Sequence, residues 1–281
     1  MSDQEVCLAV FGKTGAGKTS FIKCATGADL EIGHCPDSTT KKIQRVTIPP
    51  EKLGGRKVTL IDTPGFSDTD LQDGELFLNI VDWLVGSHRN DEPLNGAIFL
   101  QGINEVRVLQ AEKDGAELFE KIIGTTAFEQ VIILTTMWDQ VEEDFGSRNE
   151  RNRKANWANM TNKGAKLYRF LNTEDSALEI IDACLGFPRI KFQLQEELIR
   201  HGGKVRETSA AKFLQESLGV KIDDIRQQMK IAGSSDRLRR AVHKMKGWLK
   251  ILKGAVIRIS YSAWKPVAAI AGAWFWDIQT N

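Results

Sequence analysis

Apolar residues in this chain cluster in short segments, separated by longer stretches in which they recur every three or four positions. The runs cover residues 5–11, 42–48, 57–62, 96–101, 129–135 and 165–170. They read as strands, the first and fifth as buried ones, as in a parallel sheet. The helical spacing covers 18–26, 73–87, 108–123, 147–163, 176–185 and 192–201. Strand and helix alternate, which predicts an α/β fold with a doubly wound, mostly parallel six-stranded sheet. The second and third runs are joined across Pro49-Pro50 and Gly54-Gly55 and read as a hairpin. No internal repeat or low-complexity segment interrupts the pattern.

The loop after the first run carries the most specific chemistry. Gly12-Lys13-Thr14-Gly15-Ala16-Gly17-Lys18-Thr19 follows a buried strand and opens a helix, continuing into Ser20. This is the G-x-x-x-x-G-K-[ST] phosphate loop. Its glycines let backbone N–H groups converge on phosphate oxygens. Lys18 supplies a charge for the β- and γ-phosphates and Thr19 a hydroxyl for Mg²⁺. The helix N-terminus adds its partial positive charge.

The third run delivers Asp62-Thr63-Pro64-Gly65. Asp62 is placed to hold the water shell of Mg²⁺ opposite Thr19. Gly65 leaves its backbone N–H free for a γ-phosphate, so that loss of the phosphate releases the loop. Between these motifs lies the hydroxyl-rich loop 32–42. Thr40, with Thr39 in reserve, is the candidate for a threonine that reaches Mg²⁺ only in the triphosphate state. Lys18, Thr40 and Gly65 are thus the catalytic candidates, and Thr19, Thr40 and Asp62 the metal candidates.

The fifth run ends in Thr136-Met137-Trp138-Asp139. The usual GTPase form is Asn/Thr-Lys-x-Asp, so Met137 stands where a lysine is expected. Asp139 can accept from guanine N1–H and the exocyclic amine, whereas adenine offers an acceptor at the first position. Met137 can pack along a base without the charge. Asp139 also suits a helix N-cap. Two segments compete for the last base contact. Glu207-Thr208-Ser209-Ala210 resembles a familiar signature but lies nearly seventy residues past Asp139; Asn172, after the sixth run, has the better spacing. Asn172 is taken as the base-side residue and 207–209 as the cap of the next helix.

In its order of motifs, with Asp62-Thr63-Pro64-Gly65-Phe66-Ser67-Asp68-Thr69 as the switch, the chain resembles the AIG1/GIMAP branch of septin-like P-loop GTPases. Arg107 after the fourth strand and the Gln195-Glu196-Glu197-Leu198 helix are further echoes, and the match covers about residues 5–215. Thr-Met-Trp-Asp makes this a divergent member. The resemblance implies a GTP-controlled homodimer formed through the nucleotide face, often at membranes, with slow Mg²⁺-dependent hydrolysis of GTP to GDP. Ras-type enzymes place a glutamine soon after Asp-x-x-Gly. Here Phe66-Ser67-Asp68 follow, so no hydrolytic base is assigned, and a GTP-binding assembly scaffold with negligible turnover is the alternative. A small-molecule kinase is disfavoured by the two later motifs together.

The 281 residues carry a net charge of only +1, which conceals an asymmetry. From Ser217 onward there are 12 Lys and Arg against 4 Asp and Glu, a net of +8; residues 1–216 hold 26 against 33, a net of −7. The division expected is a G domain over 1–216 and a basic helical extension over 217–281. Residues 236–253 set Leu238, Val242, Met245, Leu249 and Leu252 on one helical face, and Trp264, Trp274 and Trp276 follow. The apolar run 267–276 is ten residues, where about twenty are needed to span a bilayer. A basic amphipathic helix with a Trp-rich end suits an anionic membrane surface. Docking of the same helix on the G domain or a second subunit fits equally. The four cysteines (Cys7, Cys24, Cys35 and Cys184) are scattered, and the acidic N-terminus leads directly into the first strand. These features predict a cytoplasmic protein, peripheral at an intracellular membrane if the tail inserts, with no nucleic-acid partner.

Overall fold

The computed structural model describes residues 5–28, 43–65, 73–90, 92, 94–105, 110–232 and 235–257. Its strands are β1 (Val6–Gly12), β2 (Gln44–Ile48), β3 (Val58–Asp62), β4 (Gly96–Gly102), β5 (Val131–Thr136) and β6 (Lys166–Arg169). They form one sheet in the order β2-β3-β1-β4-β5-β6. β2 pairs antiparallel with β3, and every other pairing is parallel. The four central strands are buried along their whole length, while edge strands β2 and β6 are largely open to solvent.

Side-chain alternation divides these strands between two cores. Leu8 and Val10 of β1 join Phe21 and Ile22 of α1 (Lys18–Thr26) and Ile180 of α5 (Glu174–Asp182). Ala9 and Phe11 point the other way, toward Phe77 of α2 (Asp73–Arg89), Phe119 of α3 (Gln110–Ile123) and Leu198 of α6 (Gln193–Arg200). α4 (Glu143–Thr161) contributes Trp157 and Met160 to that second core. β1 pairs with β3 on one side and β4 on the other, so the chain reverses its winding there. Loops at the C-terminal strand ends then splay apart, which is where open α/β sheets hold ligands.

Several boundaries differ from the sequence expectation. Residues 125–130 form a 3₁₀ turn ahead of β5, so Phe128 is buried in the core but precedes the strand. α4 starts at Glu143 rather than at 147, with Glu143 and Asp144 in its first turn, where acids complement the helix dipole. α5 starts at Glu174, capped by Thr173, whose hydroxyl accepts from the Ser176 amide at 3.2 Å.

The C-terminal region is less separate than its charge implies. α7 (Ser209–Ala232) runs through the boundary expected after residue 216 as one helix. Its Leu214, Leu218 and Ile222 lie in the same core as Phe11 and Phe119. α8 (Asp236–Gly254) buries Met245 and Leu252 there and packs Val242, Trp248 and Leu249 against it. The chain then pairs back onto the loop after α6, where the Ile257 amide donates to the Gly203 carbonyl at 2.9 Å. Among the described residues, no helix is long and apolar enough to cross a membrane. Trp264, Trp274 and Trp276 lie outside the described residues.

Candidate nucleotide site

The phosphate loop leaves β1 and enters α1 through Gly17, the helix N-cap, at φ 88°. That is a left-handed conformation costly to a residue with a Cβ. Lys18 folds back across the loop, and its ammonium donates to the carbonyls of Gly12 and Lys13, each at 3.0 Å. The side chain is 8% exposed, and burial pulls its pKa down to about 8, against the attraction of Asp62. A cation buried this way is matched by an anion such as phosphate. Lys13, Thr14 and Gly15 form the outer turn, Ala16 is buried, and Thr19 and Ser20 are half-buried in the first turn of α1.

Asp62 sits at the end of β3, in register with Val10 of β1. Burial raises its pKa to about 6, with Lys18 pulling it the other way. Its Oδ1 is buried without a hydrogen-bond partner. Such an oxygen suits a metal-bound water. Among the described residues no cluster of His, Cys, Asp and Glu could hold a metal alone. An ion here would take most of its ligands from phosphate, water and the Thr19 hydroxyl, the usual arrangement for Mg²⁺.

After Asp62, the Thr63 hydroxyl donates to the Val10 carbonyl at 2.7 Å, tying the turn to β1. Gly65 then lies against the phosphate loop, with the Thr14 hydroxyl donating to its carbonyl at 3.4 Å. A Cβ on Gly65 would stand 2.6 Å from the Thr14 nitrogen and 2.7 Å from the Lys18 ammonium. No larger residue fits without moving the loop.

A second pocket, with an empty volume of about 300 Å³, adjoins the start of α1. Gly17 and Ser20 form one side, and Thr136, Met137, Asp139, Gln140, Phe170 and Asn172 the rest. The Thr136 hydroxyl donates to the Ala16 carbonyl at 2.9 Å, linking β5 to the phosphate loop. The Asn172 amide donates to Asp139 at 3.0 Å, joining two loops 33 residues apart. Met137 and Asn172 both have positive φ, 67° and 58°. Asparagine tolerates that geometry, whereas methionine has to be held in it. The structure turns Trp138 away from this pocket and buries it to 8% exposure. Residues 207–209 lie elsewhere: the Thr208 hydroxyl accepts from the Ala211 amide at 3.3 Å and caps α7.

Sequence reasoning missed Gln140, which it did not single out, and Phe170, which it assigned to a strand. It also missed the support under Lys13, whose ammonium pairs with Glu105 at 2.9 Å and stands 4.0 Å from Glu112. Glu112 is buried against a fully buried Arg153 at 3.2 Å, and Arg153 also donates to the Glu105 carbonyl at 2.9 Å. No spacing rule joins positions so far apart. Thr39, Thr40, Phe66, Ser67, Asp68 and Arg107 lie outside the described residues.

Residues 7–110 match the family model described as 50S ribosome-binding GTPase. No curated protein sequence matches the chain. Among solved structures, Toc33 from Arabidopsis thaliana in complex with GDP and Mg²⁺ is 15% identical, over 67% of this chain and 88% of that one, with TM-score 0.52. Toc33 with Mg²⁺ and GMPPNP is 15% identical over 64% and 84%, with TM-score 0.50. A third structure comes from work on the chloroplast translocon components atToc33 and psToc159, whose dimerization is important for their GTPase activity. It is 15% identical over 64% of this chain and 81% of that one, with TM-score 0.52. Likeness at this identity speaks for architecture alone: the chain has the fold of a P-loop GTPase, with a helical C-terminal region.

Proposed function

We propose that this chain is a Mg²⁺-dependent guanine-nucleotide switch of the AIG1/GIMAP-like type, hydrolysing GTP slowly and dimerising through its nucleotide face. One observation carries the reading. The buried Lys18–Asp62 pair, with Gly65 against it, stands beside a pocket whose polar wall is the Asp139–Asn172 pair. Lys18 and the N–H groups of residues 13–19 hold the phosphates; Thr19 and Asp62 would hold the ion, which would supply countercharge to them. Thr40 completes that set in the triphosphate state, and Gly65 reads the γ-phosphate. Asp139 accepts from the guanine edge, Asn172 orients it, and Met137 lies along the base. Residues 1–216 form the G domain, with the remainder of α7 and α8 packed on it.

Similarity to structures whose description couples dimerisation to GTPase activity supports the homodimer. The alternative, a scaffold with negligible turnover, is favoured by Phe66-Ser67-Asp68 where a glutamine would follow Gly65. A peripheral membrane role rests on the outer face of α8. Arg237, Arg239, Arg240, Lys244, Lys246, Lys250 and Lys253 are all exposed there.

Equilibrium binding tests the guanine assignment. With Mg²⁺, GDP and GTP are expected to bind well over tenfold tighter than ADP and ATP, a gap of more than about 1.4 kcal/mol. Asp139→Asn should relax this toward xanthine nucleotides, whose 2-oxo group pairs with an amide donor. Equal affinity for ATP and GTP would sink the assignment.

A further inference from the structure

The loop that carries Asp139 is held from behind by a stack that its motif does not require. The Trp138 indole N–H donates to the Thr135 hydroxyl at 3.1 Å, and that hydroxyl donates to Glu150 at 3.0 Å. The Arg169 guanidinium lies 4.0 Å from the centre of the Trp138 ring. It donates to Glu150 at 2.9 Å, to Glu143 at 2.7 Å and to the Ser147 hydroxyl at 3.2 Å. Thr135, Trp138, Arg169 and Glu150 thus close a ring that joins β5, β6 and α4. α4 also presses on the indole, since a Cβ on Gly146 would stand 2.8 Å from it.

A planar guanidinium over an aromatic face, with its edges on carboxylates, is rigid in a way that a lone ion pair is not. That rigidity has a use. Met137, one residue before Trp138, holds φ 67°, and it lacks the ammonium that a lysine would bring to this position. The Asn172 amide bonds the Asp139 carboxylate directly, but the backbone of the loop that carries it has to be held by something other than Met137. We propose that Arg169 is a positioning residue for the base-reading carboxylate: stacked on Trp138, it holds residues 136–139 so that Asp139 meets both guanine donors. This rests on the guanine reading of the pocket.

The test is binding of GDP, inosine diphosphate and ADP to the full chain in Mg²⁺. Inosine lacks the 2-amino group, so the ratio of GDP to inosine diphosphate affinity reports how well Asp139 is aimed. Arg169→Gln should weaken GDP binding by about two- to fivefold, the range set by loss of a solvent-exposed cation–π contact, and narrow the ratio. Arg169→Lys should also narrow the ratio, though less, because an ammonium keeps the charge but not the planar fork. Trp138→Leu removes the stack from the other side and should narrow it alike, with little added loss in the double variant. A merely structural role would weaken both nucleotides equally, and that result overturns the proposal, as does an unchanged ratio in both single variants. A wild type that binds ADP as tightly as GDP overturns the guanine reading itself. That result is distinct from a selective wild type whose ratio survives both substitutions.

Discussion

Asp62 and Lys18 are two opposite charges that burial holds away from their usual ionisation. Asp62 is raised to about 6 and Lys18 lowered to about 8. For Asp62 the folded pKa lies above the unfolded value of 3.8, so its contribution to stability grows as pH falls through about 6 toward 3.8. Below about pH 6 the protonated form, which is a poor metal ligand, therefore predominates in the nucleotide-free chain. Lowering pH from 7.5 to 5.5 is expected to weaken Mg²⁺-dependent GTP binding while sparing binding in EDTA. Asp62→Asn should flatten that dependence. Titrations at the two pH values check it, and a Mg²⁺ dependence that ignores pH in the wild type contradicts the metal assignment.

α8 shows how an amphipathic element is divided between two environments. Its apolar stripe is occupied by the protein core, with Leu252 fully buried and Trp248 lying on Gly74 of α2, where a Cβ would stand 2.8 Å from the indole. Its basic face is left to solvent. The stripe is therefore not available for insertion while α8 is docked, and a membrane role of this helix is electrostatic. Two variants separate the faces. Leu252→Ala should cost roughly 2–5 kcal/mol and lower the melting temperature. Replacing Lys244, Lys246 and Lys250 by glutamate should leave melting nearly unchanged but abolish sedimentation with anionic liposomes, which about 0.5 M salt should also weaken. Liposome binding that survives both charge reversal and salt would refute the electrostatic reading of this face.

The described residues of the candidate site come together on one face, at the C-terminal ends of the strands. Lys13 and Glu105 lie on that face, both half-buried, above the Glu112–Arg153 pair. A second subunit meeting it would cover the nucleotide. Single-turnover GTP hydrolysis should therefore quicken as protein concentration passes through the range in which dimers form by light scattering. A hydrolysis rate indifferent to dimer formation removes the dimer-activated switch. Negligible turnover at every concentration leaves the scaffold.

Much of this architecture could be read along the chain because its determinants are local. Buried runs specify the parallel strands through side-chain periodicity, and the glycines and Lys18 of the phosphate loop act within eight residues of one another. Asn172 was legible through the regular length of a strand–helix–strand unit, which returns it to Asp139. Other features depended on packing. Amphipathicity in α8 declares that one face will be covered but not by what, and the core shared with α2 and α7 decided it. Arg153 and Glu112 find each other across 41 positions, and Arg169 reaches Trp138 from a neighbouring strand. Periodicity states which residues need a buried partner. Only the folded arrangement of strands and helices, which brings distant positions within a few ångströms, states which partner each receives.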